Sequence, residues 1–216
     1  MKKAMIFGML LAFSMQMQAE QVTIQTKNTT MVLNVENNKQ PQYVYYGAKL
    51  SNYDLAHLQA PRNGRMDAYP AYGMNCPAEA ALAIRHSDGN VSTELYVTDM
   101  QTQGDITRIT LKDPVYPISV ALCYKAYQNE DMIETCTEIT NGEAKPVTLT
   151  QFASICLPIR RGDVWLSHFY GSWANEAQLV EEPILAGEKV IKNKDGSRNS
   201  HTDHAEVMFS LNGKGQ

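Results

Sequence analysis

Beyond residue 19, apolar and polar residues alternate over short stretches divided by turn-forming residues, the period of strands with one buried face. VTIQT (22–26) and MVLNV (31–35) flank the turn Lys27–Asn28–Thr29, and YVYYG (43–47) follows Gln40–Pro41. The stretch ALAIRHSDGNVSTELYV (81–97) contains Asp88–Gly89, a strong hairpin signal. A two-residue loop there predicts Ile84 opposite Thr93 and Leu82 opposite Leu95. Leu82, Ile84, Val91, Leu95 and Val97 would then share one inward face. ITRITL (106–111) predicts another strand. ISVALCYKAY (118–127) and MIETCTEIT (132–140) predict a hairpin around Gln128–Asp131. Placing Tyr127 opposite Met132 sets Cys123 against Cys136 and Lys125 against Glu134. Val120, Leu122 and Tyr124 then face inward with Ile133 and Ile139. VTLTQFASICLPI (147–159) follows, with Val147, Leu149, Ala153, Ile155 and Leu157 at period two, and VMFSLNG (207–213) is strand-like. No window of eleven residues or more after the N-terminal segment carries the periodicity of an amphipathic helix. Short strands divided by regular turns predict one all-β domain over residues 20–216, a sandwich or barrel of antiparallel sheets.

The N-terminus has a different pattern. Met1–Lys2–Lys3 is a short basic region, Ala4–Met15 is apolar, and Gln18–Ala19 precedes Glu20. This order predicts a signal peptide over residues 1–19, and with it export to the periplasm or the extracellular space. The apolar run is too short to span a bilayer comfortably, and nothing later is apolar enough to hold the chain in a membrane. The formal net charge of −4 argues against nucleic acid and anionic lipid as partners and leaves neutral ligands open. At its other end the chain stops at Gln216, just past the VMFSLNG strand, as the front of a longer protein would.

Candidate chemistry is sparse. In an exported chain the opposed Cys123 and Cys136 are either bonded or two reduced thiols, and Cys76 and Cys156 have no evident partner. His201 and His204, with Asp203 or Glu206 nearby, lie in a polar segment that reads as a solvated loop, so no metal or cofactor is expected. His86 beside the Asp88–Gly89 turn reads as a surface residue, and Asn90-x-Ser92 and Asn141-x-Glu143 read as turn chemistry. The carboxylates are scattered, and no acid–base pair can be assigned. No nucleophile elbow, phosphate loop or dinucleotide fingerprint is present. Two aromatic segments stand out: Asp67–Gly73, with Tyr69 and Tyr72, and Phe169–Trp173, with Glu176 three residues on. Aromatic rings on rim loops suit pyranose faces, with carboxylates and amides for the hydroxyls; composition alone favours the same rings as core plugs.

Taken in order, YVYYGAKL, DAYPAYG, the Asp-Gly turn, ISVALCYKAYQNEDMIETCTEITNGEAKPVTLTQFASICLPI, GSWANEAQL and PILAGEKVI…DGSRNSH resemble the N-terminal domain of family-36 glycoside hydrolases, the α-galactosidases. The resemblance covers nearly all of residues 20–216. The YPAYG loop, the hairpin leading to a Leu-Pro, and Gly-x-Trp-x-x-Glu carry it together. It implies an antiparallel super-β-sandwich of the galactose-mutarotase-like type, packed in front of a catalytic (β/α)8 barrel that is absent from this chain. In the family that barrel holds two aspartates that cleave terminal α-linked galactose with retention. No catalytic residue is therefore expected here. The implied partners are α-galactoside sugars, the chain's own barrel and further copies of itself.

Tyr69, Tyr72, Trp173 and Glu176 are the substrate-binding candidates, as shapers of the site entrance. The chain departs from the family pattern at Met74–Pro77, in the short Gln59–Met66 loop, in Trp173–Ala177, which lacks the usual arginines, and at Thr202–Ala205. Two other functions are weighed beside this one. A stand-alone carbohydrate-binding or assembly module would act without catalysis. An aldose epimerase would need a histidine and a carboxylate on a concave sheet, for which His86 is the only strand-adjacent histidine.

Overall fold

The structure, a computed structural model, describes residues 20–35, 40–59, 66–75, 79–159, 162–193, 202–211 and 213. Residues 1–19, expected as a signal peptide, lie outside them, as do Cys76 and His201. The chain packs as two compact units that divide between Pro158 and Ile159.

In the first unit, β1 (Glu20–Gln25), β2 (Thr29–Val35) and β3 (Pro41–Ala48) form an antiparallel meander. Alternation buries Val22 and Ile24 of β1 beside Met31 and Leu33 of β2 and Tyr43 of β3. A helix of under two turns, α1 (Asn52–His57), follows; Ser51 caps it, its Oγ accepting from Asp54 N–H at 3.2 Å while the Asp54 carboxylate accepts back from Ser51 N–H. A second meander comprises β5 (Tyr96–Gln103), β6 (Ile106–Lys112), β7 (Ile118–Tyr127) and β8 (Met132–Asn141). A separate two-stranded sheet pairs β4 (Leu82–Arg85) with β9 (Thr148–Phe152). Ile109, Leu111, Val120, Leu122 and Tyr124 face Leu33, Tyr43, Leu82 and Ile84 in one buried cluster. The Tyr43 and Tyr124 hydroxyls meet at 3.4 Å across it. Burying an aliphatic side chain of this size is worth about 1.5–3 kcal/mol, so this layer dominates the unit's stability. The architecture is the predicted antiparallel β-sandwich.

The β7–β8 register is the predicted one: Cys123 opposes Cys136, Lys125 opposes Glu134 and Tyr127 opposes Met132. Val120, Leu122 and Tyr124 point inward, with Ile133 and Ile139 half-buried beside them. The 128–131 turn also holds the β1–β2 turn. Asp131 accepts from Asn28 N–H at 2.9 Å and from the Thr26 hydroxyl, and Gln128 Nε2 donates to Gln25 O at 2.6 Å.

Other expectations are corrected. The Asp88–Gly89 hairpin does not form a ladder: β4 pairs with β9, Leu82 opposite Phe152 and Ile84 opposite Leu149. The turn itself closes through His86 N–H to Asn90 O at 2.8 Å. Beyond it, Asn90 N–H turns to Asp88 Oδ1 and Ser92 N–H to Asn90 Oδ1, which bends the chain off the strand path. The segment then bonds elsewhere, Thr93 N–H to Tyr72 O and Glu94 N–H to the Asp113 carboxylate. Leu82, Ile84 and Leu95 are buried as expected, whereas Val91 is exposed. In the 147–159 stretch the strand ends at Phe152, and Leu149, Ile155 and Leu157 are exposed rather than inward; Val147 and Ala153 do pack on the core.

The second unit is a three-stranded antiparallel sheet in the order β11 (Asn175–Pro183), β10 (Val164–Ser172), β12 (Val207–Leu211). The aromatic segment 169–173, read from sequence as a loop, is thus the end of β10 and the tip of the β10–β11 hairpin. Among the described residues no helix is long and apolar enough to cross a membrane.

Candidate functional site

The YPAYG loop is held on both sides by backbone bonds. Ala68 N–H donates to Pro41 O at 2.8 Å, Ala81 N–H to Pro70 O at 2.7 Å, and Tyr72 N–H to Leu82 O at 2.8 Å. Gly73 adopts φ +122°, and a Cβ there would lie 2.8 Å from Thr93 N, so only glycine lets the loop turn this close to its neighbour.

The loop's two tyrosines go to opposite sides. Tyr69 is 2% exposed, and its hydroxyl donates to Ala153 O at 3.0 Å; burial pushes its phenol above the ordinary value. As placed, it is a core plug that props the loop and presents no ring face to solvent. Tyr72 is 57% exposed and lines an open cleft of about 640 Å³ with Gly73, Asn75, Glu79, Ala83 and Gln151. Gln151 Nε2 donates to Glu79 Oε1 at 3.0 Å and to Ala80 O at 2.6 Å. That fixes both polar side chains beside the tyrosine ring. An aromatic face next to a carboxylate and amides can stack on a polyol ring and accept from its hydroxyls.

In the second unit, Trp173 and Glu176 occupy the β10–β11 hairpin. Ser172 pairs with Asn175 after a register shift past Tyr170, leaving Trp173 and Ala174 as the tip. Trp173 is 82% exposed and Glu176 is exposed at the start of β11. Ala174 and Ala177 hold φ +59° and +54°, left-handed values uncommon for alanine. The four candidates therefore divide two and two between the units.

Sequence reasoning missed Asn75, Glu79 and Gln151. Gln151 stands 72 positions from its partner Glu79, and no local motif brings them together. His86 is a second correction. It is 3% exposed rather than on the surface, with Nδ1 at 2.7 Å from Glu143 Oε1 and Nε2 at 2.9 Å from Thr93 Oγ1. Its ring stacks on Tyr116 at 3.6 Å. The line Glu143–His86–Thr93 has the order of a catalytic relay, but Thr93 is wholly buried and no substrate can reach it. The same burial removes His86 as an open-sheet epimerase acid. In the second unit, His168 is buried near Glu182 and Asp203 at 3.6 and 3.8 Å, beyond hydrogen-bond length. Among the described residues no three His, Cys, Asp or Glu side chains converge as a metal site.

Comparison with known proteins places the chain in a family. A profile described as the glycosyl hydrolase family 36 N-terminal domain matches residues 39–216. The bifunctional alpha-galactosidase/sucrose kinase AgaSK of Mediterraneibacter gnavus is 23% identical over 227 residues, covering 88% of this chain and 24% of that protein. The solved α-galactosidase of Lactobacillus brevis superposes with a TM-score of 0.75 at 18% identity, over 88% of this chain and 31% of that one. A variant of α-galactosidase AgaA from Geobacillus stearothermophilus, solved with raffinose, gives a TM-score of 0.75 at 16% identity, over 87% and 31%. The chain thus spans under a third of these relatives while sharing their sandwich. With the profile running through most of its length, the chain belongs to the glycosyl hydrolase family 36 N-terminal domain family.

Proposed function

We propose that this chain is the N-terminal β-sandwich of an exported α-galactosidase that releases terminal α-linked galactose with retention of configuration. The observation that carries the proposal is the family match over residues 39–216, combined with a chain that spans under a third of its relatives. The catalytic carboxylates belong to a barrel outside these residues, and the stretch alone is inactive. The sandwich supports that barrel, and Tyr72, Trp173 and Glu176 shape the site entrance, while Tyr69 props the Tyr72 loop from within. Residues 1–19 direct export to the periplasm or beyond and are removed before Glu20.

The complete coding region, expressed and given raffinose, is expected to release galactose, with proton NMR showing the α-anomer formed first. A downstream region without a barrel and its paired carboxylates, or a β-anomer formed first, would count against the proposal. N-terminal sequencing of the secreted protein is expected to start at Glu20, and a product retaining Met1 would remove the export step.

The cleft beside Tyr72 favours a second reading, a carbohydrate-binding or assembly module that works without catalysis. Calorimetry of the chain with galactose and raffinose tests it. Heat of binding lost in Gln151→Ala supports the module, and no heat at millimolar sugar removes it.

A further inference from the structure

The β7–β8 hairpin carries two opposed cysteines. Cys123 and Cys136 stand directly opposite each other in the ladder, and both are free thiols. Opposed residues of an antiparallel pair place their Cα atoms about 4.5–5.5 Å apart, inside the roughly 4.4–6.8 Å span that disulfides bridge. A bond between them needs no shift of register. The surroundings belong to a solvent face: Arg108 Nη2 lies 2.6 Å from Glu138, Lys125 opposes Glu134, and the Lys125 ammonium sits 4.5 Å over the Tyr127 ring. A void of about 10 Å³ touches both cysteines together with Tyr69, Tyr124 and Ser154, leaving room for a sulfur to move.

The two thiols are not equivalent. Cys136 is exposed, whereas Cys123 is half-buried, with Arg108 Nη1 donating to its Sγ at 3.2 Å. Burial, and then the neighbouring Cys136, push the Cys123 thiol up to about 11 against the opposing pull of Arg108. Because the thiolate is the attacking species, Cys136 is the sulfur that reacts with reagents from solution.

We propose that Cys123 and Cys136 are a reversible dithiol–disulfide modification site, oxidised by small disulfides of the glutathione class. The Cys136 thiolate attacks one sulfur of the incoming disulfide and breaks its S–S bond. One thiol leaves, carrying the proton that Cys136 gave up. Cys123, on losing its own proton, attacks Cys136 Sγ, and the second thiol departs with that proton. Two protein thiols are oxidised to one disulfide, and one small disulfide is reduced to two thiols. The product staples β7 to β8, the hairpin whose inner face supplies Val120, Leu122 and Tyr124 to the core.

The full chain, equilibrated with oxidised glutathione, alkylated and digested without reduction, is expected to give a peptide linked through Cys123 and Cys136. Cys123→Ser is expected to retain glutathione on Cys136, while Cys136→Ser takes up glutathione at Cys123 at least about tenfold more slowly. Circular dichroism matching that of the parent chain establishes that each variant is folded. Alkyl groups on both Cys123 and Cys136 in the equilibrated parent chain, read apart from those on Cys76 and Cys156, overturn the disulfide. Equal glutathionylation rates in the two single variants overturn the order of attack.

Discussion

Asp131 shows how much one side chain can join. It sits at φ +55° in the β7–β8 turn, and its carboxylate accepts from the Thr26 hydroxyl and from both the backbone and the side chain of Asn28. Those donors, Thr26 first, hold its carboxyl below the ordinary value of 3.8. A group whose pKa is lower folded than unfolded contributes stability above the unfolded value, and that stability is lost as pH falls through the folded one. Asp131→Asn is therefore expected to unfold at lower urea than the parent at neutral pH, with the gap closing as pH drops below 3.8. A gap independent of pH would mean that the carboxylate charge plays no part. Glu143 behaves likewise: Ser87 and then His86 lower its carboxyl from 4.5, so its contribution fades over the same acid range.

Trp173 is the opposite kind of residue, with almost nothing packed on it. Trp173→Ala is expected to change stability by less than about 0.5 kcal/mol. If the ring lines the site entrance, the same substitution in the complete enzyme raises KM for raffinose and leaves kcat near the parent value. An unchanged KM would make the tip a bystander.

At the level of elements, legibility followed the distance over which each pairing had to be read. The β1–β2 and β7–β8 hairpins are local: alternation across a short turn indicated both, and for β7–β8 it also set the register, Cys123 opposite Cys136. The Asn90–Ser92 and Asn141–Glu143 turns are equally local and formed as expected. β4 failed because its true partner, β9, lies more than sixty positions away, while Asp88–Gly89 offered a nearer one. The turn formed, but the Asx bonds of Asp88 and Asn90 carried the next residues toward the Tyr72 loop. Tertiary bonding prevailed over local propensity there. The interior of the β5–β8 sheet was legible, and it gives a direct prediction. Leu111 is fully buried, opposite Val120 in the β6–β7 ladder and in one core cluster with Leu33. Leu111→Ala is expected to cost about 2–5 kcal/mol in urea unfolding through lost transfer energy and the cavity left behind. A loss below about 1 kcal/mol would mean that the two sheets close over the gap.

Across the whole chain, the ordered series of motifs was enough to indicate the family, because each piece constrains a local turn or hairpin. The cleft was not legible, since Tyr72, Glu79 and Gln151 meet only after β4 and β9 pair. The surface carries a last consequence. Val207, Met208, Phe209 and Leu211 of β12 are exposed on both faces of the strand, and β12 is an edge of its sheet. Phe152, 68% exposed, continues into Ile155 and Leu157 in the first unit. An apolar edge strand offers unpaired backbone groups and apolar area together, a template for another copy unless something covers it. The proposed barrel would supply that cover. Expressed alone, the 216-residue chain is expected to elute from size-exclusion chromatography with light scattering as dimers or larger species at micromolar concentration. Phe209→Lys, which places a charge on the edge, is expected to shift it toward monomer. A parent chain that is monodisperse and monomeric would mean that the β12 edge is already protected within the chain itself.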